Sequence, residues 1–114
     1  MLFAALASVV IATCYDGDTC TTTNGERVRL ACIDTPELVG ERAEPVPAIA
    51  ARNHLRGLVL GKKVGIRRIT KDSYGRTVAE LFLGTINVQQ EMVATGHAEI
   101  LWRYAYQCPW TEGQ

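Results

Sequence analysis

The sequence has no net charge, no C-x-x-C pair, no long apolar run, no internal repeat and no low-complexity tract. Twelve basic residues balance twelve acidic ones, so there is no global pull towards a polyanion, and nucleic-acid binding would have to come from local charge placement. The longest uncharged run, residues 1–15, is too short to cross a bilayer, and no membrane partner is expected. The two histidines, His54 and His97, lie far from the four cysteines, which argues against a zinc site. Apolar residues at 47% and charged residues at 21% exclude disordered and fibrous classes. What remains is one domain of 114 residues, long enough to bury an ordinary hydrophobic core.

The charges that are present cluster. Lys62, Lys63, Arg67, Arg68, Lys71 and Arg76 place half of the basic residues in one short window whose single acid is Asp72. Asp34, Glu37, Glu41 and Glu44 form an acidic window offset only by Arg42, and Asp16 and Asp18 add a third acidic point. A site for a cation and a polyanion would be built this way, and so would two solvated faces. The basic window either steers a polyanionic substrate or is a solvated strand face.

Cys20 and Cys32 fit apolar strand positions as small core residues, while Cys14 and Cys20 flank a tight turn and can pair across a hairpin. Residues 1–10 are apolar, and Ala5-Leu6-Ala7 has the small-x-small form of a signal-peptidase site without a basic segment before it. Residues 1–7 therefore read either as part of a signal segment or as the approach to a first strand, with residues 8–114 as the domain. The expectation is a secreted or periplasmic protein, with a cytoplasmic one as the alternative.

Residues 8–15 are β-branched and apolar and predict a strand. Asp16-Gly17-Asp18 is turn chemistry, residues 20–23 a second strand, and Asn24-Gly25 a strong hairpin signal. A return strand over 26–33 puts Val28, Leu30 and Cys32 on one face and Arg29 on the other, and Pro36 ends it. Pro45 and Pro47 predict a loop before a helix over 48–60, closed by Gly61, with Ala51, Leu55, Leu58 and Val59 on its apolar face. Strands follow over 64–70 and 77–83. Asn87 and Gln90 predict a capping box for a second helix closed by Gly96, and residues 98–106 read as a final extended, aromatic segment whose Trp102, Tyr104 and Tyr106 fit a core or a base-stacking surface. Short strands with helices inserted between them point to a small closed sheet.

Asp16-Gly17-Asp18-Thr19 and Asp34-Thr35-Pro36-Glu37 each place carboxylates at a strand end. Such hard oxygen ligands suit calcium or magnesium, although Asp16 and Asp18 can equally do no more than cap a turn. Arg29 and Arg76 occupy positions able to converge with them, and arginine grips phosphate through a bidentate fork. A lone histidine beside an amphipathic helix is ordinarily structural, so His54 and His97 receive no role.

Taken together, Asp16-Gly17-Asp18-Thr19, Val28-Arg29-Leu30 running into Ile33-Asp34-Thr35-Pro36-Glu37, and Asp72-x-Tyr74-Gly75-Arg76 with Ala79 resemble the staphylococcal nuclease (thermonuclease) family, in order and over most of the chain. The resemblance implies an oligonucleotide-binding (OB) fold, a mainly-β, five-stranded barrel carrying helices. It implies calcium-dependent hydrolysis of DNA and RNA, single-stranded or unwound, to 3′-phosphate and 5′-hydroxyl ends, by a monomer. On this likeness Asp18, Asp34 and the carbonyl of Thr35 would hold calcium, Glu37 would act as general base, and Arg29 and Arg76 would bind phosphate. Tyr74 would contact the nucleotide, and Tyr104 would lie near the base.

The chain departs from the family in five places, one of them a tighter first hairpin. Ser73 stands where the family has a lysine, the loop after Glu37 is short, Trp102 stands in place of a tyrosine, and the family's C-terminal helix has no counterpart before Gln114. Two other classes stay open: a catalytically silent OB module that binds nucleic acid or protein, and a small exported calcium-binding or disulfide-stabilised protein. Retention of Asp18, Arg29, Asp34, Glu37 and Arg76 favours the nuclease.

Overall fold

The computed structural model describes residues 6–114. Of the expected leader, residues 1–5 lie outside the described residues, and Ala7 already belongs to the first strand, β1 (Ala7–Cys14). The turn after it, in which the Asp18 amide donates to Asp16 Oδ1 (3.0 Å), returns the chain as β2 (Thr19–Thr22). The Asn24-Gly25 hairpin, with Gly25 in the left-handed region at φ 84°, leads into β3 (Arg27–Leu30). The remaining elements are β4 (Ile33–Asp34), α1 (Pro45–Val59), β5 (Lys63–Lys71), β6 (Thr77–Leu83), β7 (Ile86–Asn87), α2 (Val88–Ala94) and β8 (Glu99–Ile100).

The first half of β1 pairs antiparallel with β5, from Ala7↔Ile66 to Val10↔Lys63, and its second half pairs with β2, ending at Cys14↔Cys20. Irregularities in the ladders at Ile11/Thr13 and Arg68/Thr70 bend these strands. β2 pairs with β3 and β5 with β6, and a parallel β3–β6 ladder (Val28↔Thr77, Arg29↔Val78, Leu30↔Ala79) closes the ring. The result is a closed five-stranded barrel of mixed sheet, an OB fold, and closure leaves none of these strands with a free edge over its paired length.

Alternate residues turn inward: Val28 and Leu30, Val64 and Ile66, Ala79 and Leu81 are all buried. α1 packs on β1 and α2, and its Ala48, Ala51, Leu55 and Val59 recur at helical spacing and are fully buried. Leu55→Ala would therefore cost about 3 kcal/mol through lost burial and the cavity left behind. α2 begins as its sequence dictates, with Asn87 Oδ1 accepting from the Gln90 amide (3.0 Å), and ends before Gly96 at φ 80°.

Four expectations need correction. α1 begins at Pro45 and not three residues later, because the first-turn amides of a helix have no intrahelical partner and proline at 45 and 47 sacrifices nothing there. The return strand stops at Leu30: the chain turns at Ala31 and Cys32, the latter at φ 67°, before resuming as β4. Cys20 and Cys32 are buried as expected and Cys14 pairs with Cys20 across the turn, but Cys32 is not simply a packed core residue, for it is bonded to Cys108. The aromatic tail is extended only at β8. Residues Trp102–Gln107 and Pro109–Thr111 form two 3-10 turns that leave Trp102 and Tyr106 exposed instead of in a core.

Candidate active site

The parallel β3–β6 ladder sets the position of both arginines. Arg29 lies opposite Val78, and Arg76 precedes Val78 by two residues, so the two basic side chains leave the barrel on the same side. Both line one cavity of about 370 Å3, together with Lys71, Asp72, Ser73, Leu101, Tyr104 and Gln107 among others.

Arg29 also meets the acidic groups. β2 and β3 pair at Thr19↔Arg29, which brings the preceding Asp18 alongside. Nη2 of Arg29 is 3.5 Å from Asp18 Oδ2 and 3.8 Å from Asp34 Oδ1, while Nη1 donates to the Leu30 carbonyl (2.7 Å). Two carboxylates, one from the turn before β2 and one from the end of β4, thus face one guanidinium nitrogen. Asp18 is only 6% exposed, and its position is fully specified. Its Oδ2 accepts from the amide (3.3 Å) and hydroxyl (3.0 Å) of Thr35, and its Oδ1 accepts from the Thr19 hydroxyl (3.1 Å).

The turn that carries Asp18 is wedged between α1 and Thr35. A Cβ on Gly17 would fall 2.8 Å from the Ala51 Cβ and 2.9 Å from the Thr35 Cγ2, so only glycine fits. Arg56 on α1 donates twice to the Cys14 carbonyl (3.0 and 2.8 Å), and the Cys14–Cys20 disulfide closes the loop behind. This crowding has an electrostatic consequence. Burial, and next the charge of Asp18, pushes the Asp16 carboxyl up to about 6. Asp34 is raised as well, by burial first and then by Asp18, against the pull of Arg29.

The Asp72–Arg76 turn presents the second arginine. Asp72 Oδ1 accepts from the amides of Tyr74 and Arg76 (2.9 Å each), Asp72 Oδ2 accepts from Arg76 Nε (2.6 Å), and Gly75 supplies φ 79°. Held through Nε, Arg76 keeps both terminal nitrogens without a hydrogen bond among the described residues. Its guanidinium lies 5.4 Å from the centre of the Tyr74 ring, and Arg27 on β3 donates to the Tyr74 carbonyl.

The structure therefore unites Arg29, Arg76 and Tyr104 around one cavity and joins Asp18 and Asp34 to it through Arg29. Asp34 and Thr35 also line a separate depression of about 340 Å3 with Pro36, Glu44, His97 and Glu99. Glu37 stands outside both: its carbonyl accepts from the Glu44 amide (2.9 Å), and its charge reaches Asp34 and adds to the raising of that carboxyl. Tyr74 is 73% exposed at the rim. Among the described residues no three His, Cys, Asp or Glu side chains form a metal-binding group. The oxygen donors on offer are the two carboxylates at Arg29 and backbone carbonyls, which is a set of the hard class that calcium takes, and the crowded negative charge is what a cation would relieve.

The basic window behaves differently from a free cationic face. Arg67 and Glu80 are direct cross-strand partners (2.9 Å), Arg68 grips Glu26 with two bonds (2.8 and 2.7 Å), and Arg76 holds Asp72. Lys71 lines the cavity, and sequence reasoning singled it out only as one charge of that window. His54 and His97 stack on each other, ring centroids 4.5 Å apart.

Comparison with known proteins bears on the family of the chain. Residues 27–111 match the sequence profile of the family described as staphylococcal nuclease homologue, a span that includes Arg29, Asp34, Thr35, Glu37, Tyr74, Arg76 and Tyr104. A probable staphylococcal-like nuclease of Oryza sativa subsp. japonica is 33% identical over 72 residues, which is 63% of this chain and 18% of the rice protein. The chain thus spans less than a fifth of that relative's length. With three-quarters of its residues in the family match and a closed OB barrel beneath them, the chain belongs to the staphylococcal nuclease family.

Proposed function

We propose that this protein is a nuclease that hydrolyses the phosphodiester bonds of DNA, RNA or both, leaving 3′-phosphate and 5′-hydroxyl ends. The observation that carries the reading is the arrival of Arg29 and Arg76 from two paired strands in one cavity, with the Asp18 and Asp34 carboxylates on the other side of Arg29. Family membership supports it.

In this reading the scissile phosphate sits between the arginines, whose forked donors match its oxygens and stabilise the five-coordinate state more than the ground state. Glu37 takes a proton from the attacking water, the new P–O bond forms in line, and the bond to the 5′ oxygen breaks as that oxygen takes a proton from solvent water. Calcium held by Asp18, Asp34 and the Thr35 carbonyl would supply Lewis-acid polarisation of the phosphate oxygens. Tyr104 offers a face on which a base stacks beside the cavity, and Tyr74 a contact at the rim. Splayed, single-stranded or unwound substrate suits such a stacking site best. Pairing of all four cysteines supports residence in an oxidising compartment, secreted or periplasmic.

The test is incubation of the chain with heat-denatured DNA, with calcium or with a chelator, beside Glu37→Ser and Arg76→Ala. Calcium-dependent cleavage that falls by roughly two orders of magnitude or more in both variants supports the reading, since each removes about 3 kcal/mol of transition-state stabilisation. A folded chain that binds DNA without cutting it would make this a silent binding module.

A further inference from the structure

We propose that Lys71 is a third substrate-binding cation of this cavity, taking a backbone phosphate next to the one gripped by Arg29 and Arg76. The inference rests on the nuclease reading above and adds a residue to it.

Three cations line the cavity: Arg29, Lys71 and Arg76. Two of them are already engaged, Arg29 by Asp18 and Asp34 and Arg76 by Asp72. Among the described residues, the Lys71 ammonium makes neither an ion pair nor a side-chain hydrogen bond. Its backbone ends β5 directly across the ladder from Thr77, the residue after Arg76. Lys71 and Arg76 line the same cavity, and an ammonium turned into it would meet the next phosphate of an extended strand.

The acids nearby leave it available. The cavity's own acid, Asp72, spends its oxygens on Arg76 and two backbone amides. Glu26, the other carboxylate whose charge Lys71 feels, gives one oxygen to Arg68 Nη2 (2.7 Å) and the other to Arg68 Nε (2.8 Å) and the Thr77 hydroxyl (2.9 Å). The other arginines of the basic window are spent too, Arg67 on Glu80 and Arg68 on Glu26. Lys62 and Lys63 lie at the far end of β5, outside the cavity lining. An exposed ammonium that meets a phosphate in ground and transition states alike strengthens binding without accelerating the chemical step.

The experiment compares steady-state cleavage and salt-dependent binding of a short oligothymidylate by the wild-type chain, Lys71→Gln, Lys71→Arg, and Lys71→Gln combined with Ser73→Lys. Lys62→Gln serves as a control of identical net-charge change, and thermal melts confirm that every variant is folded. The expected result for Lys71→Gln is a KM raised roughly 3- to 10-fold with kcat nearly unchanged, and a log Kd versus log salt slope shallower by about 0.7, the loss of one phosphate contact on a single strand. Lys71→Arg should restore both. Ser73 lines the same cavity, so a lysine placed there should recover part of the affinity. A Lys71→Gln enzyme indistinguishable from the Lys62→Gln control overturns this proposal while leaving the nuclease reading intact, as does a fall in kcat without a change in KM. A wild-type chain that neither binds nor cuts the oligonucleotide overturns both.

Discussion

Cys32 and Cys108 are joined across 76 residues of sequence, and their disulfide ties the turn that follows Arg29 to the segment that carries Tyr104. The Leu101 amide donates to the Cys32 carbonyl (2.8 Å), the Arg67 guanidinium donates to the Gln107 carbonyl (2.7 Å), and Ile69, Val78 and Trp110 pack around the bridge. One wall of the cavity is thereby a short irregular segment held by a covalent bond and a few hydrogen bonds.

Reduction of the protein, or Cys108→Ser, should therefore act on both stability and binding. Opening a loop of this length costs about 4 kcal/mol, visible as a lower melting temperature in the presence of reductant. Tyr104 is then released from the cavity wall, and KM for oligonucleotide should rise more than kcat falls. Unchanged kinetics in a reduced, folded chain would show that Tyr104 takes no part in holding substrate.

Gly17→Ala tests how tightly the Asp18 turn is seated. The new methyl would meet the Ala51 Cβ and the Thr35 Cγ2 at distances below van der Waals contact, and neither neighbour is the free end of a flexible chain. The turn must lift from α1, at about 1–3 kcal/mol. Asp18 moves with it and loosens from the Thr35 amide and hydroxyl. The expected outcome is a lower denaturant midpoint together with a higher calcium requirement for cleavage.

The pH dependence of stability has a distinct source in Glu26. The hydrogen bond from Arg68 chiefly, helped by Thr77 and opposed by burial, pulls its carboxyl from 4.5 to about 2. A carboxyl lowered by folding binds fewer protons in the folded state. Its contribution is complete above the unfolded value of 4.5 and is lost as pH falls towards about 2. Glu26→Gln should cost about 1 kcal/mol near neutrality, the modest figure suited to a partly exposed cluster, and nothing once both forms are uncharged. Urea unfolding at a series of pH values should show the gap between wild type and variant closing only across that acidic window.

Much of the frame was legible because local chemistry and tertiary contacts agree along it. The Asn24-Gly25 hairpin, the Thr77–Leu83 strand and the Asn87 cap stand where turn chemistry, alternation and capping put them. The breaks are where a distant partner decides. Nothing local in Ala31-Cys32 announces a turn, and the Cys108 bridge that pins it is invisible to periodicity. Aromatic residues 102–106 have strand propensity, yet the tail is tethered by Arg67, by Thr111 to the Ala105 carbonyl (3.0 Å) and by the disulfide, and it coils. The basic window read as one patch of charge because its neutralising acids come from elsewhere in the chain, Glu26 from the end of the β2–β3 hairpin and Glu80 from β6. At the site, strand register placed Arg29 beside Asp18. The loop side chains of Glu37 and Tyr74 have no register to fix them, and both stand outside the cavity lining.

Burial makes Glu80 sensitive to its partner. It is 2% exposed and accepts from Arg67 Nε (2.9 Å) and from Asn87 Nδ2 at the long distance of 3.4 Å. Arg67→Ala leaves a buried carboxylate with one weak donor and also frees the Gln107 carbonyl, so a loss of about 2 kcal/mol is expected in urea unfolding. The double variant Arg67→Met with Glu80→Gln should recover part of that loss, since the uncompensated charge is gone.

Asp72 is the positioning residue for Arg76, and its two roles separate by substitution. Asp72→Asn retains one carbonyl oxygen for the amides of Tyr74 and Arg76 but loses the charged acceptor at Arg76 Nε, whereas Asp72→Ala loses both. If the carboxylate only competed with phosphate for Arg76, its removal would speed cleavage. The geometry argues the opposite, because Nε is the atom it holds while the terminal nitrogens have no hydrogen bond among the described residues, and a guanidinium misplaced by about 1 Å forfeits up to 100-fold in rate. The expected order of kcat/KM is wild type, then Asp72→Asn lower by roughly 10-fold, then Asp72→Ala lower by roughly 100-fold, with the losses mainly in kcat. A rate increase in Asp72→Asn would reassign the carboxylate as a competitor of the substrate phosphate.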